Sequence, residues 1–257
     1  IAGPTVTFST FADTPKLYNV FCNFAAVSVN DFVPPFKAFF SDFVILVEGP
    51  SELTLYKTLA KQIDINLDRL NISILSVEGV GFKTYIKILD ALKIDWVLRT
   101  DNDILKIPHV DGYRYAGIER GLSFLEQSYE IKDDDQTIID ANRSIIHGFA
   151  DKNNIADAVK TAANNLITML DGYDILIAKM GLEEDLFYSP IKEDLKSYYG
   201  ADHTDQEVIQ LMKDHKAINM YDFLKAKKVC LKKLKDDDIA KPLMRAKQHI
   251  ESLYGTY

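Results

Sequence analysis

"VILVEGPSE", residues Val44 to Glu52, places Glu48 directly after an unbroken apolar run and Glu52 four residues later. With Phe43 the run reads FVILV, and the lack of polar alternation predicts a strand over 43–47 covered on both faces. Gly49 and Pro50 turn the chain. Beyond them "SELTLYKTLAKQI" (51–63) carries Leu55, Leu59 and Ile63 at spacings of four, which predicts a helix with Ser51 as its N-cap. A single acid at a strand end commonly marks only the point where the chain meets water. Two acids held together by a tight turn repel each other, and that repulsion calls for a cation.

The pattern repeats outward from this stretch. "ISILSV" (72–77) predicts a second strand, "FKTYIKILDAL" (82–92) a second helix and "DWVLRT" (95–100) a third strand. Alternation at this spacing predicts an α/β protein with a parallel sheet, right-handed crossovers and flanking helices. Residues 104–170 lose the strand pattern and read as a helical insertion. Within it "DDD" (133–135) reads as a turn or exposed loop, and 153–170 as a helix with Ala156, Val159, Ala163, Leu166 and Met169 on one side. "YDILIAKM" (173–180) reads as a returning strand, followed by "GLEEDL" (181–186), and the chain is expected to be helical from Asp205 to its end. The expected organisation is a lead-in over 1–42, aromatic-rich, broken by Pro4, Pro15, Pro34 and Pro35, with room for a strand between Leu17 and Val29; a core over 43–190; and a helical C-terminal lobe over 191–257.

At 257 residues the chain can bury a substantial core, and 47% hydrophobic with 26% charged residues is an ordinary globular composition. No apolar stretch approaches the roughly 20 residues that cross a bilayer, and the start shows no signal-peptide pattern. Cys22 and Cys230 are too few for a disulfide framework, so a reduced, cytoplasmic setting is expected. The net charge of -8 conceals a division. Residues 213–247 hold eleven Lys and Arg against five Asp, a net of +6, which leaves -14 on the rest. A basic lobe on an acidic body suits carboxylates that hold metal beside lysines that hold phosphate; a solvated helical face is the plainer reading.

In parallel α/β sheets, ligands sit beyond the carboxyl ends of the strands. Glu48 ends the first strand. Gly79 and Gly81, in "VEGVGFKT", follow the second and allow close backbone approach. Asp101 and Asp103, in "RTDND", end the third and point the same way by alternation. Glu52 lies in the first turn of the first helix, over the same edge. Four carboxylates at one rim are tolerated when divalent cations sit between them, and hard oxygen donors select Mg²⁺ or Mn²⁺ over zinc. Taken singly, each acid is as well explained by a strand end or a solvated turn.

"ILVEGPSE", "SVEGVGFKT" and "LRTDND" together resemble the Toprim domain shared by primases, topoisomerases and a group of nucleases. "GLEEDL" after an insertion, then "HKAINMYDFL", is similar to the OLD-family (overcoming lysogenization defect) nucleases, and within them to the nuclease subunit of the Gabija anti-phage system. The resemblance spans residues 43–228. It implies a Toprim-like parallel sheet and a metal-dependent DNA endonuclease with two Mg²⁺ or Mn²⁺ ions per site, acting in antiviral defence. It also implies an N-terminal ATPase domain outside this sequence, which has no GxxxxGK[ST] pattern, a possible partner defence protein and a homo-oligomer. Carried over by position, Glu48, Glu52, Asp101 and Asp103 are implied metal ligands, Glu183 and Asp185 complete the second metal site, and Lys216 stabilises charge on the phosphate. Glu48, Asp101 and Lys216 are then the catalytic set. Lys83, Lys225, Lys227 and Lys228 are the candidates for holding backbone phosphates.

Three other readings use the same residues, one of them a different polynucleotide reaction, such as primer synthesis, which shares the same acids. A catalytically silent Toprim module would bind DNA or a partner without cutting, and a glycosyltransferase would use "DND" to hold a nucleotide-sugar metal. The glycosyltransferase reading leaves the Glu48–Glu52 pair unexplained. The five histidines show no metal-ligand spacing.

Overall fold

A computed structural model of the chain describes residues 36–77 and 81–255. The central run matches the sequence pattern closely: β1 (Phe43–Val47), α1 (Pro50–Gln62), β2 (Ile72–Ser76), α2 (Phe82–Leu92) and β3 (Asp95–Thr100). Every residue of β1 is buried, as its continuous apolar run requires. α1 is capped two residues earlier than expected. Gly49 is its N-cap and Pro50 its first residue, where the missing N–H is no loss, so Ser51 lies inside the helix and is buried.

The insertion is not wholly helical. β4 (Ile104–Lys106) and β5 (Tyr113–Tyr115) are followed by α3 (Ala116–Ser128), α4 (Asp133–Asn142), β6 (His147–Phe149) and α5 (Asp157–Asp171). β4, β5 and β6 form a separate antiparallel sheet. Three-residue strands are too short for period-two alternation to register in a sequence. "DDD" (133–135) is the first turn of α4 rather than a loop, because acids there meet the positive end of the helix dipole.

β7 (Ile175–Ile177) is the returning strand, shorter than the sequence implies. α6 (Leu182–Phe187), α7 (Lys192–Tyr199), α8 (Asp205–Lys213), α9 (Lys216–Lys227) and α10 (Lys241–Tyr254) complete the chain, with short 3-10 segments at 228–234 and 238–240. α8 begins with a full capping box between Thr204 and Glu207.

The main sheet has the order β2-β1-β3-β7, all parallel. Phe43, Ile45 and Val47 join one core with Leu55 and Leu59 of α1, Phe187 of α6, Phe223 of α9 and Leu243 and Ile250 of α10. The alternate residues Val44 and Leu46 are buried on the opposite face. The C-terminal helices therefore share the sheet's core, and the described residues from Lys37 onward form one compact unit. Lys241 and Arg245 of α10 pair with Asp171 at the end of α5, tying the last helix to the insertion. Residues 1–35 of the expected 1–42 lead-in, with Cys22, and Gly79 lie outside the described residues.

Candidate active site

The strand order opens a crevice at the strand ends that carry the candidate acids. From β1 the chain goes to β2 on one side and then crosses to β3 on the other, so the ends of β1 and β3 border a crevice. β1 and β3 run in register from Phe43 opposite Asp95 to Leu46 opposite Leu98. Continued two residues, that register sets Glu48 across from Thr100. The Thr100 hydroxyl donates to Glu48 Oε1, and the Asp101 backbone N–H donates to the same oxygen at 2.9 Å.

Asp101 is buried, and its Oδ1 accepts the Leu182 N–H at 3.0 Å, which clips the start of α6 onto the end of β3. Burial, followed by the charges of Glu48 and Glu52, pushes the Asp101 carboxyl up to about 7, against the pull of Arg99 and Lys216. Glu52 is likewise buried and raised, by desolvation and then by Glu48 and Glu183, although backbone hydrogen bonding opposes the shift. Glu183, in the first turn of α6, is only 2% exposed. Lys216 at the start of α9 brings its Nζ to 3.1 Å from Glu183 Oε2. The approach is off hydrogen-bonding geometry, so that buried oxygen has no hydrogen bond among the described residues. Burial works against the Lys216 charge, and Glu183 with Asp101 and Glu52 outweighs it, holding the lysine above its ordinary range. The structure thus brings Glu48, Glu52, Asp101, Glu183 and Lys216 together.

The other expected residues are placed differently. Asp103 is exposed at the rim and joins the cluster through Arg120, whose Nη1 and Nη2 both donate to its Oδ2 at 3.1 Å. Asp185 forms an ion pair with Arg99, both side chains nearly inaccessible. Its oxygens also accept the backbone N–H groups of Lys179 and Met180, at 3.2 Å each. Glu184 pairs with Lys213. Lys83 is an exposed residue of α2. Lys225 and Lys228 are exposed and Lys227 half-buried at the far end of α9 from Lys216.

Sequence reasoning missed two arginines. Arg99 lies inside β3 and is buried beside Tyr56, Asp185, Asp101 and Glu52. Arg120 reaches across from α3. Its available signal was a basic residue beside paired glycines, Gly117 and Gly121, which let one helix face press unusually close.

The donor set fits a hard divalent cation. Every candidate atom is a carboxylate oxygen, and buried carboxylates that raise one another's affinity for a proton also favour a metal ion. Among the described residues no three Asp, Glu, His or Cys side chains are arranged to hold an ion as they stand. Lys216 and Arg120 occupy contacts on these acids.

Residues 39–103, which contain β1 to β3 and four of the acids, match the family described as "Overcoming lysogenization defect protein-like, TOPRIM domain". This segment is similar to the OLD-like Toprim domain. Over 192 residues, 73% of the chain, it is 26% identical to "Endonuclease GajA" of Bacillus cereus (strain VD045), of which the match covers 32%. The chain thus spans about a third of the length of that relative. In overall structure it is similar to the C-terminal region of the Xanthomonas campestris pv. campestris OLD protein, with TM-score 0.48, 21% identity, and 85% of this chain and 98% of that one covered. The C-terminal region of the Burkholderia pseudomallei OLD protein gives TM-score 0.48 at 20% identity, covering 83% of this chain and 98% of that one. Residues 39–103 supply Glu48 after β1, Glu52 in α1, and Asp101 and Asp103 after β3, and α3, α6 and α9 beyond them supply Arg120, Glu183 and Lys216. No helix among the described residues is long and apolar enough to cross a membrane.

Proposed function

We propose that this chain is the nuclease part of a larger protein and hydrolyses phosphodiester bonds of DNA with two Mg²⁺ or Mn²⁺ ions. The observation that carries the reading is the convergence of Glu48, Glu52, Asp101 and Glu183 with Lys216 on one rim of an OLD-like Toprim segment. Glu48, Glu52, Asp101, Asp103 and Glu183 would hold the ions, which supply Lewis-acid charge to the attacking water and the leaving oxygen of a phosphodiester. Asp185 would brace the site from beneath through Arg99.

The protein's own residues do the positioning. Glu48 is fixed by Thr100 and the Asp101 amide, so its free oxygen has a defined direction. Lys216, half-exposed and charged, would leave Glu183 for a phosphate oxygen and meet the negative charge that grows there. Lys225, Lys227 and Lys228 lie about 14–18 Å along α9 from Lys216 and would hold the backbone on either side without reading sequence. The resemblance of the sequence motifs extends the proposal to a role in anti-phage defence, with an ATPase domain, a partner protein and a homo-oligomer in the intact assembly.

Supercoiled plasmid incubated with the chain in Mg²⁺ or Mn²⁺ should be nicked or cut, and EDTA should stop it. Glu48→Gln and Asp101→Asn should each lose activity by about 10²-fold or more while remaining folded. Normal cleavage by either variant overturns the reading. Firm DNA binding by the wild type with no cleavage would instead favour the silent-module alternative.

A further inference from the structure

Arg120 donates through Nη2 to Glu48 Oε1 at 3.4 Å, to the Thr100 hydroxyl at 3.2 Å and to the Asp101 carbonyl at 2.9 Å. Both terminal nitrogens also reach Asp103 Oδ2. One guanidinium thus spans two acids of the rim and the backbone that joins them. Two features separate it from an ordinary surface ion pair.

Its seat is built into the helix packing. A Cβ on Gly117 would lie 2.2 Å from the Asp101 carbonyl oxygen and 2.6 Å from Asn102 Cα, so α3 rests directly on the backbone of the acid loop. Gly121, just past Arg120, presses α3 against Ile175 and Ile177 of β7. The guanidinium is held there although its Nε is buried without a hydrogen-bond partner among the described residues. At the same time its head is reachable by water: the side chain is 36% exposed, and Asp103 is 47% exposed. A charge so placed can release a carboxylate without any helix moving.

We propose that Arg120 is a resident counter-ion that competes with divalent cations for Glu48 and Asp103, and so sets the concentration at which the site takes up metal. The inference rests on reading these acids as metal ligands. A purely structural pin would behave in the opposite way, because its loss would loosen the acid loop and weaken metal binding.

Mn²⁺ binding to the 257-residue chain, followed by the electron paramagnetic resonance signal of free Mn²⁺, separates the two. Arg120→Gln removes one positive charge close to the ion and is expected to bind Mn²⁺ about tenfold more tightly. Arg120→Lys keeps the charge and loses the forked hold, and is expected to gain roughly threefold. Unchanged or weaker Mn²⁺ binding by Arg120→Gln overturns the proposal. Should that variant fail to fold, the same result from Arg120→Lys overturns it. Glu48→Gln is measured alongside and is expected to lose Mn²⁺ binding. If it binds Mn²⁺ as the wild type does, the acids are not the ligands, and the reading beneath the proposal falls independently of Arg120.

Discussion

Gly117 and Asp101 meet backbone to backbone: a Cβ at residue 117 would stand 2.2 Å from the Asp101 carbonyl oxygen, closer than real Cβ atoms come. The neighbouring obstacle, Asn102 Cα at 2.6 Å, is also backbone, so no side chain can swing aside. Gly117→Ala must therefore push α3 away from the acid loop, and is expected to destabilise the protein by about 3 kcal/mol. Gly121→Ala meets only side-chain atoms, Leu170 Cδ1 at 2.9 Å, Ile177 Cδ1 at 3.0 Å and Ile175 Cγ2 at 3.3 Å, and is expected to lose about 1 kcal/mol. Urea denaturation of both variants checks the order. Equal losses would contradict it.

The Arg99–Asp185 pair supports the site from beneath, with side chains 5% and 10% exposed. Removing Arg99 leaves Asp185, Asp101 and Glu52 buried without their shared cation. Arg99→Met is expected to destabilise by about 3–5 kcal/mol, and Asp185→Asn by less, since the acids near Arg99 still compensate its charge. Asp185→Asn should also keep most of its Mn²⁺ affinity, whereas Asp101→Asn should lose it. Isothermal titration with Mn²⁺ reads both, and a loss as large in Asp185→Asn would restore Asp185 to the ligand set.

The central fold was legible because its signals are local. FVILV is long enough to declare a buried strand, α2 carries clear helical periodicity, and Glu48 and Asp101 fall where such strands end. The three acids of "GLEEDL" show what sequence cannot separate. Consecutive residues on a helix point about 100° apart, so Glu183 goes to Lys216, Glu184 to Lys213 and Asp185 to Arg99. Those partners come from β3, α8 and α9, and no adjacent residue announces them. Arg120 was hidden for the same reason. Its contacts depend on how α3 lies over the loop after β3, a tertiary fact with only two glycines as a trace.

The lysines at the end of α9 carry a quantitative expectation for DNA. Lys225 and Lys228 are exposed, and Lys227 is half-buried. Each lysine that contacts phosphate contributes about 0.9 to the slope of log affinity against log salt on duplex DNA. Replacing all three with Gln should flatten that slope by about 2–3. Fluorescence anisotropy between ~50 and ~200 mM salt, in a Glu48→Gln background to prevent cleavage, measures it. An unchanged slope would remove these lysines from the DNA path.

Asp101 ties stability to pH in the absence of divalent ions. Its carboxyl is raised to about 7 from an ordinary value of 3.8, so the folded protein keeps a proton that the unfolded chain has lost. Where the native state binds more protons, stability falls as pH rises. The favourable contribution is complete below about pH 4, declines as pH climbs through the raised value and is gone above it, a span of at most about 4 kcal/mol. In EDTA the urea midpoint should therefore be lower at pH 8 than at pH 5. Asp101→Asn carries no titrating group there and should lose most of that difference. Adding Mg²⁺ at pH 8 should raise the wild-type midpoint and leave the variant's nearly unmoved, because the ion compensates the ionised carboxylate only where one exists. A pH dependence in Asp101→Asn as steep as the wild type's would place the titration elsewhere in the acid cluster.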